Sequence, residues 1–248
     1  MKLVLEKAAD FQKSISAISV LIDEAEFILD ENALLLKATD PSQISMVDFR
    51  LEKSAFKEYD VDGKMKLGLD LDYLNQVVSR AKSDDALSLE LSEDKSRLLI
   101  EFSGVSTRKF QVPLIDISAA ELPNPKIDFD AEVILKAAVL QDALKDAALI
   151  STHVSLGVDS DKFFVKATSS KGALDNETGK GDKGLVELKA SQPASSMFPL
   201  DYLQDMMKGP GSDSNVCIKL KKDAPVEISY KIGKASLTFF LAPRIESE

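Results

Sequence analysis

Apolar residues recur at two spacings along the first half of the chain. After a short apolar run at Lys2–Leu5, Phe11, Ile15, Ile18 and Ile22 lie three or four residues apart, which predicts an amphipathic helix. A second helix is predicted from the segment LDYL at Leu71. Strands are predicted at Glu26–Leu29, Leu34–Ala38, Ile44–Leu51, Leu87–Leu91, Leu98–Phe102 and Thr107–Val112. This order predicts an α+β domain with two helices and many short antiparallel strands.

The same pattern occurs a second time at a constant offset of 129 residues. Four pairs of segments share that offset: LLLKAT and FFVKAT, LDYLNQVV and LDYLQDMM, KAADFQKSI and KAAVLQDAL, LSLEL and VCIKL. A single offset kept across both halves indicates an internal duplication. We therefore predict two similar domains, copy one at 1–117 and copy two at 130–248. The connector at 118–129 should be extended, because Pro123 and Pro125 fix their own φ and lack a backbone donor.

Net charge and cysteine content limit the classes of function that the chain could have. The 248 residues carry a formal net charge of −10, which by itself argues against phosphate binding but does not locate the charges. Cys217 is the only cysteine, so the chain can form neither an internal disulfide nor a thiolate metal cluster. No signal peptide and no run of about 20 apolar residues is present. We expect a soluble intracellular protein.

No motif predicts an enzyme, a cofactor or a metal site. The chain lacks GxxxxGK[ST] and GxGxxG sequences, and no nucleophile is tied to His153, which is interpreted as a loop residue. Cys217 matches Ser88 in the repeat and is interpreted as a small packed side chain on a strand. The acidic pairs Asp84-Asp85 and Glu93-Asp94 are interpreted as solvated turn residues.

The C-terminal sequence TFFLAPRIESE concentrates apolar residues where chains usually fray. Phe239 is interpreted as part of an edge strand that packs on its own domain. Ala242 and Pro243 should end that strand, yet apolar residues continue beyond them to Ile245. This pattern favours a tail that borders a surface groove.

These and other segments resemble proliferating cell nuclear antigen (PCNA) of archaea and eukaryotes over essentially the whole chain. The resemblance rests on FFLAPRIE at 239–246, LKATDPSQISMVDF at 36–49, FKEYDVD at 56–62, TRKFQVPLIDI at 107–117 and APVEISYKI at 224–232. It implies a trimeric ring, with helices inside, sheets outside and duplex DNA in the hole. The implied partners are peptide motifs of DNA polymerases, nucleases and ligases, an ATP-driven clamp loader and two further copies of the chain. The setting would be an archaeal cytoplasm or a eukaryotic nucleus, without a membrane.

The resemblance also assigns candidate residues for contact with DNA. Basic residues on the helices expected inside the ring are Lys13, Arg80, Lys82, Lys145 and Lys208. Three acidic residues, Asp10, Asp72 and Asp201, lie near helix starts, where the helix dipole favours them, so most of the negative charge is expected elsewhere. Weakly basic helices suit a loose contact that does not read sequence. The alternative for each residue is a solvated surface side chain.

Two further sites follow from the resemblance. An apolar groove for partner peptides would be lined by Ile44, Met46, Leu122, Pro123, Pro225, Phe240, Ala242 and Pro243, the alternative being core packing. A boundary between subunits would join cations of copy one to aspartates of copy two in the next subunit, with apolar contact beneath. The candidates are Arg80, Lys82, Arg108, Phe110, Asp142 and Asp146. Asp142 and Asp146 share a helix face at a destabilising spacing, and Lys145, adjacent to one and three residues from the other, cannot neutralise both well. The alternative is a set of independent solvated charges.

Three rival functions remain open at this point. The chain could be one subunit of a heterotrimeric or checkpoint-type clamp, which its resemblance to PCNA does not distinguish from a homotrimer. It could be a protein scaffold that does not bind DNA, because the helices carry little positive charge. An enzyme is the third rival, and no coherent site supports it.

Overall fold

A computed structural model describes residues 1–117, 122–123 and 125–244. The chain forms two compact units. The first comprises 1–43, 47–123 and 232–237, and the second comprises 44–46, 124–231 and 238–248. The predicted connector at 118–129 is described at 122–123 and 125–129, which contain neither helix nor strand. Ile245 lies outside the described residues.

Copy one contains two α-helices, a 3₁₀ turn and nine strands. Its helices are α1 (Ala9–Ser19) and α2 (Leu71–Val78), and the 3₁₀ turn is Lys53–Ala55. Its strands are β1 (Lys2–Leu5), β2 (Glu24–Leu29), β3 (Ala33–Thr39), β4 (Ser45–Glu52), β5 (Glu58–Asp60), β6 (Met65–Asp70), β7 (Ala86–Leu91), β8 (Arg97–Ser103) and β9 (Thr107–Pro113). The predicted helices and strands are therefore confirmed, with ends that differ by a few residues.

Copy two repeats this order, and several strands begin 129 residues after their counterparts. Its helices are α3 (Ala137–Ala148) and α4 (Leu200–Met206). Its strands are β10 (Ala131–Lys136), β11 (His153–Val158), β12 (Lys162–Ser169), β13 (Gly172–Gly179), β14 (Leu185–Ala190), β15 (Ala194–Pro199), β16 (Asn215–Leu220), β17 (Val226–Ile232) and β18 (Ala235–Leu241). The internal repeat read from the sequence is thus a repeat of structure.

The strands of both copies pair in the same two orders. In copy one the neighbours run β5-β1-β7-β8-β9 and β4-β3-β2-β6; in copy two they run β14-β10-β16-β17-β18 and β13-β12-β11-β15. Neighbouring strands run antiparallel, as in β1 with β7, where Leu3 lies opposite Leu89. Alternate residues of these strands are buried, because successive side chains point to opposite faces of a sheet.

The helices form where apolar spacing and local capping agree. In α1 the buried face includes Phe11, Ile15 and Ile18, at the expected spacing, whereas Ile22 lies beyond the end of the helix. The Asp70 side chain caps α2 by accepting a hydrogen bond from the Tyr73 backbone nitrogen at 2.8 Å. Asp72 also lies in the first turn, as predicted.

Gly68 on β6 allows the chain after β9 to pass close to the sheet. The Ile115 nitrogen donates to the Gly68 oxygen at 2.9 Å, and a Cβ at position 68 would meet the Ile115 oxygen at 2.1 Å. A side chain here would displace this segment, which leads towards the connector.

The interpretation of His153 as a loop residue is wrong, because it begins β11 and lies opposite Pro199 in the ladder. Within the described ranges, the structure contains no helix long and apolar enough to cross a membrane.

Candidate functional sites

The helix pair of copy one carries three exposed basic residues. α1 and α2 are joined by a hydrogen bond from the Ser16 hydroxyl to the Asn75 side-chain oxygen at 2.7 Å. Lys13 is exposed on α1, and Arg80 and Lys82 are exposed just beyond the end of α2. None of these three side chains has an ion-pair partner among the residues that the structure describes. They remain candidates for DNA contact.

The helix pair of copy two encloses a groove of about 470 Å³. The Gln141 side chain donates to the Met207 oxygen at 2.9 Å and to the Pro210 oxygen at 3.1 Å. Gln204 donates to the Leu144 oxygen at 3.5 Å. These bonds satisfy carbonyl groups near helix ends and hold α3 and α4 side by side. Lys145 and Lys208, the candidates for DNA contact in copy two, both line the groove.

Both lysines of this groove have an aspartate three residues earlier, Lys145 within α3 and Lys208 just beyond the end of α4. Lys145 Nζ lies 2.8 Å from Asp142 Oδ1, and Lys208 Nζ lies 2.5 Å from Asp205 Oδ1. Lys145 therefore pairs with Asp142, because three-residue spacing puts both side chains on one helix face, and it leaves Asp146 without an ion pair among the described residues. This agrees with the expectation that Lys145 cannot neutralise both aspartates.

The helices of copy two carry more acidic residues than the one that the sequence interpretation named, although most of the net charge of −10 lies away from the helices, as expected. Besides Asp201, residues 137–148 and 200–208 carry Asp142, Asp146 and Asp205, against the two lysines 145 and 208. This helix pair is therefore net acidic.

Arg108 on β9 is held within its own domain. Its guanidinium pairs with the buried carboxylate of Asp85 and donates to the Arg80 oxygen at 2.6 Å. It also lies 5.3 Å from the Phe102 ring centre. The interpretation of Asp85 as a solvated turn residue is wrong, because its side chain is only 4% exposed. Asp84, its neighbour, is exposed.

These contacts affect the predicted boundary between subunits without testing it. Arg108 already has a carboxylate partner in its own subunit, and Asp142 is already paired with Lys145. Asp146 is exposed and has no ion pair within the described part of the chain. Phe110 is half-buried on β9, with its ring 5.9 Å from that of Phe102. Asp146, Arg80, Lys82 and Phe110 thus keep the most capacity for contact with another subunit.

Part of the predicted groove is brought together in the second unit. The Ala242 nitrogen donates to the Ile44 oxygen at 2.8 Å, just after β18 ends at Leu241. Met46 and Phe240 are each 8% exposed, so they form the floor more than the lining. Ala242 and Pro243 are half-buried beside them. The predicted end of the strand before Ala242 is confirmed.

The other predicted groove residues differ in exposure. Pro225 and Leu122 are half-buried and Pro123 is exposed. Phe239 is fully buried and stacks on Tyr230 at 5.7 Å between ring centres, in agreement with its interpretation as a packed residue.

The contacts of Arg244, the residue that follows Pro243, were not anticipated. The Arg244 nitrogen donates to the Met197 oxygen at 2.7 Å, and its guanidinium lies 3.4 Å from His153 Nδ1. No spacing rule links positions 153, 197 and 244. The signal that could have found Arg244 is its place in the LAPRIE sequence.

Cys217 lies on β16 as predicted, and it is half-buried. Burial raises the pKa of its thiol, so the thiolate is disfavoured, as expected for a structural residue. No group of three or more metal-binding side chains occurs in residues 1–117, 122–123 and 125–244.

Two copies of an α+β domain, each with a helix pair and two antiparallel sheet segments, define a two-domain clamp fold. The profile described as the N-terminal domain of proliferating cell nuclear antigen matches residues 1–121, and that of the C-terminal domain matches 124–245. The chain belongs to the PCNA family.

Curated relatives agree over nearly the full length. A DNA polymerase sliding clamp of Methanococcus maripaludis is 38% identical over 242 residues, covering 96% of each chain. The DNA polymerase sliding clamp of Pyrococcus furiosus is 35% identical over 246 residues, covering 99% of this chain and 98% of that one.

Solved structures agree in fold. PCNA from Thermococcus kodakaraensis has a TM-score of 0.94 at 26% identity, covering 98% of this chain and 99% of that one. The A. fulgidus PCNA bound to the C-terminal region of FEN-1 has a TM-score of 0.90 at 28% identity, covering 100% of this chain and 99% of that one.

Proposed function

We propose that the chain is a DNA sliding clamp, a non-catalytic processivity factor that encircles duplex DNA and tethers replication and repair proteins. The observation that carries this proposal is the match to sliding clamps over 96% or more of the chain, in both copies. The agreement in fold with solved PCNA structures supports it.

The ring would be a homotrimer with the four helices of each subunit towards DNA. The exposed positions of Lys13, Arg80, Lys82, Lys145 and Lys208 support contact with phosphates. Such contacts position a protein without reading bases. Because a closed ring stays on DNA by topology, weak contacts suffice and leave it free to slide.

The partner site would lie in the second unit around Ile44, Ala242 and Pro243, and Leu122 and Pro123 of the connector stay predictions that the resemblance alone supports. A half-buried apolar surface of this kind suits an aromatic or aliphatic anchor of a partner peptide, and few such anchors carry most of an interface's affinity. The A. fulgidus relative bound to a FEN-1 segment supports a nuclease as one partner class. DNA polymerases, ligases and an ATP-driven clamp loader would be further partners.

Topological retention tests the function directly. The protein would be loaded on closed circular DNA, washed at high salt, and followed after the circle is cut once. A sliding clamp stays on the closed circle and leaves the linear product. Loss from both forms, or retention on both, would contradict the proposal.

Charge insertion tests the partner groove. Pro243→Glu should abolish binding of a fluorescent FEN-1 C-terminal peptide, because a carboxylate would be desolvated against the apolar anchor. Val186→Glu is the matched control, since Val186 is exposed on β14. Leu122→Glu tests the connector separately. Equal peptide affinity in Pro243→Glu and the control would remove the groove from this surface.

The mass of the purified protein by light scattering tests assembly. A homotrimer has three times the 27.1 kDa of the chain, whereas a monomer in the absence of other subunits would favour a heterotrimeric clamp.

A further inference from the structure

Each of the two lysines of the α3–α4 groove is paired with an aspartate three residues earlier in the chain. The Asp142–Lys145 pair lies on α3, and the Asp205–Lys208 pair lies at the C-terminal end of α4. In both pairs the lysine follows the aspartate by three residues. Both lysines line one groove of about 470 Å³, together with Asp205. Because the same aspartate–lysine pairing occurs twice on one surface, it is a property of that surface.

Copy one lacks this arrangement. Lys13 also follows an aspartate by three residues, but it forms no ion pair with Asp10 in the described structure. Arg80 and Lys82 have no acidic residue three or four positions earlier. The candidate DNA contacts of copy one are therefore unpaired cations, whereas those of copy two are paired.

Both lysines can exchange partners because they are exposed, although Asp205 is half-buried. The Asp142 and Lys145 side chains are each 71% exposed, and the Lys208 side chain is 60% exposed. Exposed pairs of this kind contribute little to stability. A phosphate could therefore take the lysine from its aspartate.

That exchange would weaken the attraction of the groove for DNA. When a lysine engages a phosphate, the aspartate it leaves stays within one helical turn and repels the same phosphate. Before contact, the opposite charges of each pair nearly cancel at distances well beyond their separations of 2.8 and 2.5 Å, and salt screens the remaining field. The groove should thus attract DNA less than two bare lysines would.

We propose that Asp142 and Asp205 are positioning residues that hold Lys145 and Lys208 back from the DNA backbone. They keep the contact of copy two with phosphates weak, while copy one supplies the stronger contact. This inference rests on the proposed function, since it requires α3 and α4 to face duplex DNA. It assigns Asp142 to the groove and leaves Asp146 as the aspartate of the predicted subunit boundary, so sedimentation should find the Asp142→Asn, Asp205→Asn variant as trimeric as the parent.

The direct test is the double variant Asp142→Asn, Asp205→Asn, which removes the charges and keeps the side-chain shape. Binding of a fluorescent linear duplex, which can thread a preformed ring, would be measured against salt concentration. The variant should bind several-fold more tightly at low salt. Its plot of log affinity against log salt should be steeper by up to about 0.9 for each lysine that engages a phosphate.

A matched control removes the same number of charges elsewhere. Glu187 and Glu227 pair with Lys189 and Lys219 on strands of the same unit, at 2.7 and 2.8 Å. Glu187→Gln, Glu227→Gln should leave the salt slope at the parent value. An equal change in the control would show an effect of net charge alone and overturn the inference.

The variant Lys145→Ala, Lys208→Ala separates the inference from the function beneath it. If it flattens the slope while the Asp142→Asn, Asp205→Asn variant matches the parent, DNA lies at the groove but the aspartates do not restrain the lysines. If neither variant differs from the parent, the groove does not face DNA and the inference also fails. Retention of the parent on closed circles would still uphold the clamp.

Discussion

Copy one and copy two share their order of elements but use corresponding positions differently. Counted at the offset of 129, Asp85 corresponds to Ser214 and Arg108 to Leu237. Arg108 pairs with the buried Asp85, whereas Leu237 is an apolar residue with no exposed surface. A polar connection in one copy is therefore replaced by hydrophobic packing in the other.

The last strands of the two five-stranded orders show the same difference. β9 leaves Arg108 and Phe110 half-buried and Lys109 exposed, whereas β18 buries Leu237, Phe239 and Leu241. β9 is also the open edge of its sheet, with unpaired backbone groups that suit contact with another chain. Duplication thus conserved the scaffold, while side chains gave each copy its own surface.

Removal of the buried Asp85–Arg108 ion pair should have the largest effect on the free energy of unfolding. Asp85→Ala leaves the Arg108 guanidinium without its carboxylate and should lower the free energy of unfolding by about 3 kcal/mol. Urea unfolding followed by circular dichroism measures this. Ser214→Ala, at the corresponding position of copy two, and the exposed Asp84→Ala should each change it by less than about 0.5 kcal/mol. Similar losses in all three variants would show that the pair is not what distinguishes the copies.

Loss of the hydrogen bonds that join the two helices of a copy should lower the free energy of unfolding by less than loss of the buried ion pair. Gln141→Ala removes two hydrogen bonds between α3 and the segment after α4, and should cost about 1–2 kcal/mol of unfolding free energy. Ser16→Ala removes a single bond between α1 and α2 and should cost about 1 kcal/mol or less. Thermal unfolding of both variants checks the order. A larger loss of unfolding free energy in Ser16→Ala than in Gln141→Ala would show that the helix pair of copy one is held more strongly than that of copy two.

Assembly should depend more on Asp146 than on Asp142. Asp146→Ala removes a carboxylate with no ion pair in the described residues, so a contact with another subunit would be lost. Asp142→Ala mainly releases Lys145 within the same helix. Each exposed pair contributes about 0–1 kcal/mol, repeated at three boundaries of the proposed ring.

The trimer–monomer equilibrium by sedimentation, at low and high salt, would measure this. Asp146→Ala should dissociate at higher protein concentration than the parent and depend less on salt. An Asp146→Ala variant as trimeric and as salt-sensitive as the parent would contradict the proposed role.

The smallest expected effect is on the pH dependence of stability. It arises from a difference between the two copies in the turn that joins the seventh and eighth strands. In copy one, hydrogen bonds from the Ser92 hydroxyl and from the nitrogen and hydroxyl of Ser96 lower the pKa of Asp94 to about 2. In copy two, Asp223 at the corresponding position donates its backbone nitrogen to the Ser196 hydroxyl at 2.8 Å.

Because the folded pKa of Asp94 lies below its ordinary value of 3.8, its ionised form stabilises the fold above about pH 4. That contribution should fade as the pH falls towards about 2. Asp94→Asn should remove this part of the pH dependence, and NMR titration of the carboxyl carbon should locate the pKa. A value near 3.8 would show that the three hydrogen bonds do not persist in solution.

Hydrophobic spacing and the repeat were sufficient to predict the helices, the duplicated domain and most strands of copy one, but not β5 and β6. These are local or periodic properties, so they are visible in one dimension. The pairing of Lys145 with Asp142 is also local, but predicting it required the side-chain directions of a helix.

Asp85 shows what the sequence could not reveal. It lies beside Asp84 in a turn, and both have the same local character, yet one is buried under Arg108 and the other is exposed. Likewise, Arg244 meets His153 and Met197 only because β11 pairs with β15 and the segment after β18 passes beside both strands in the second unit. The sequence determined the order and type of the elements. Tertiary structure decided which charges lost water and found partners, because burial and ion pairing depend on residues distant in the chain.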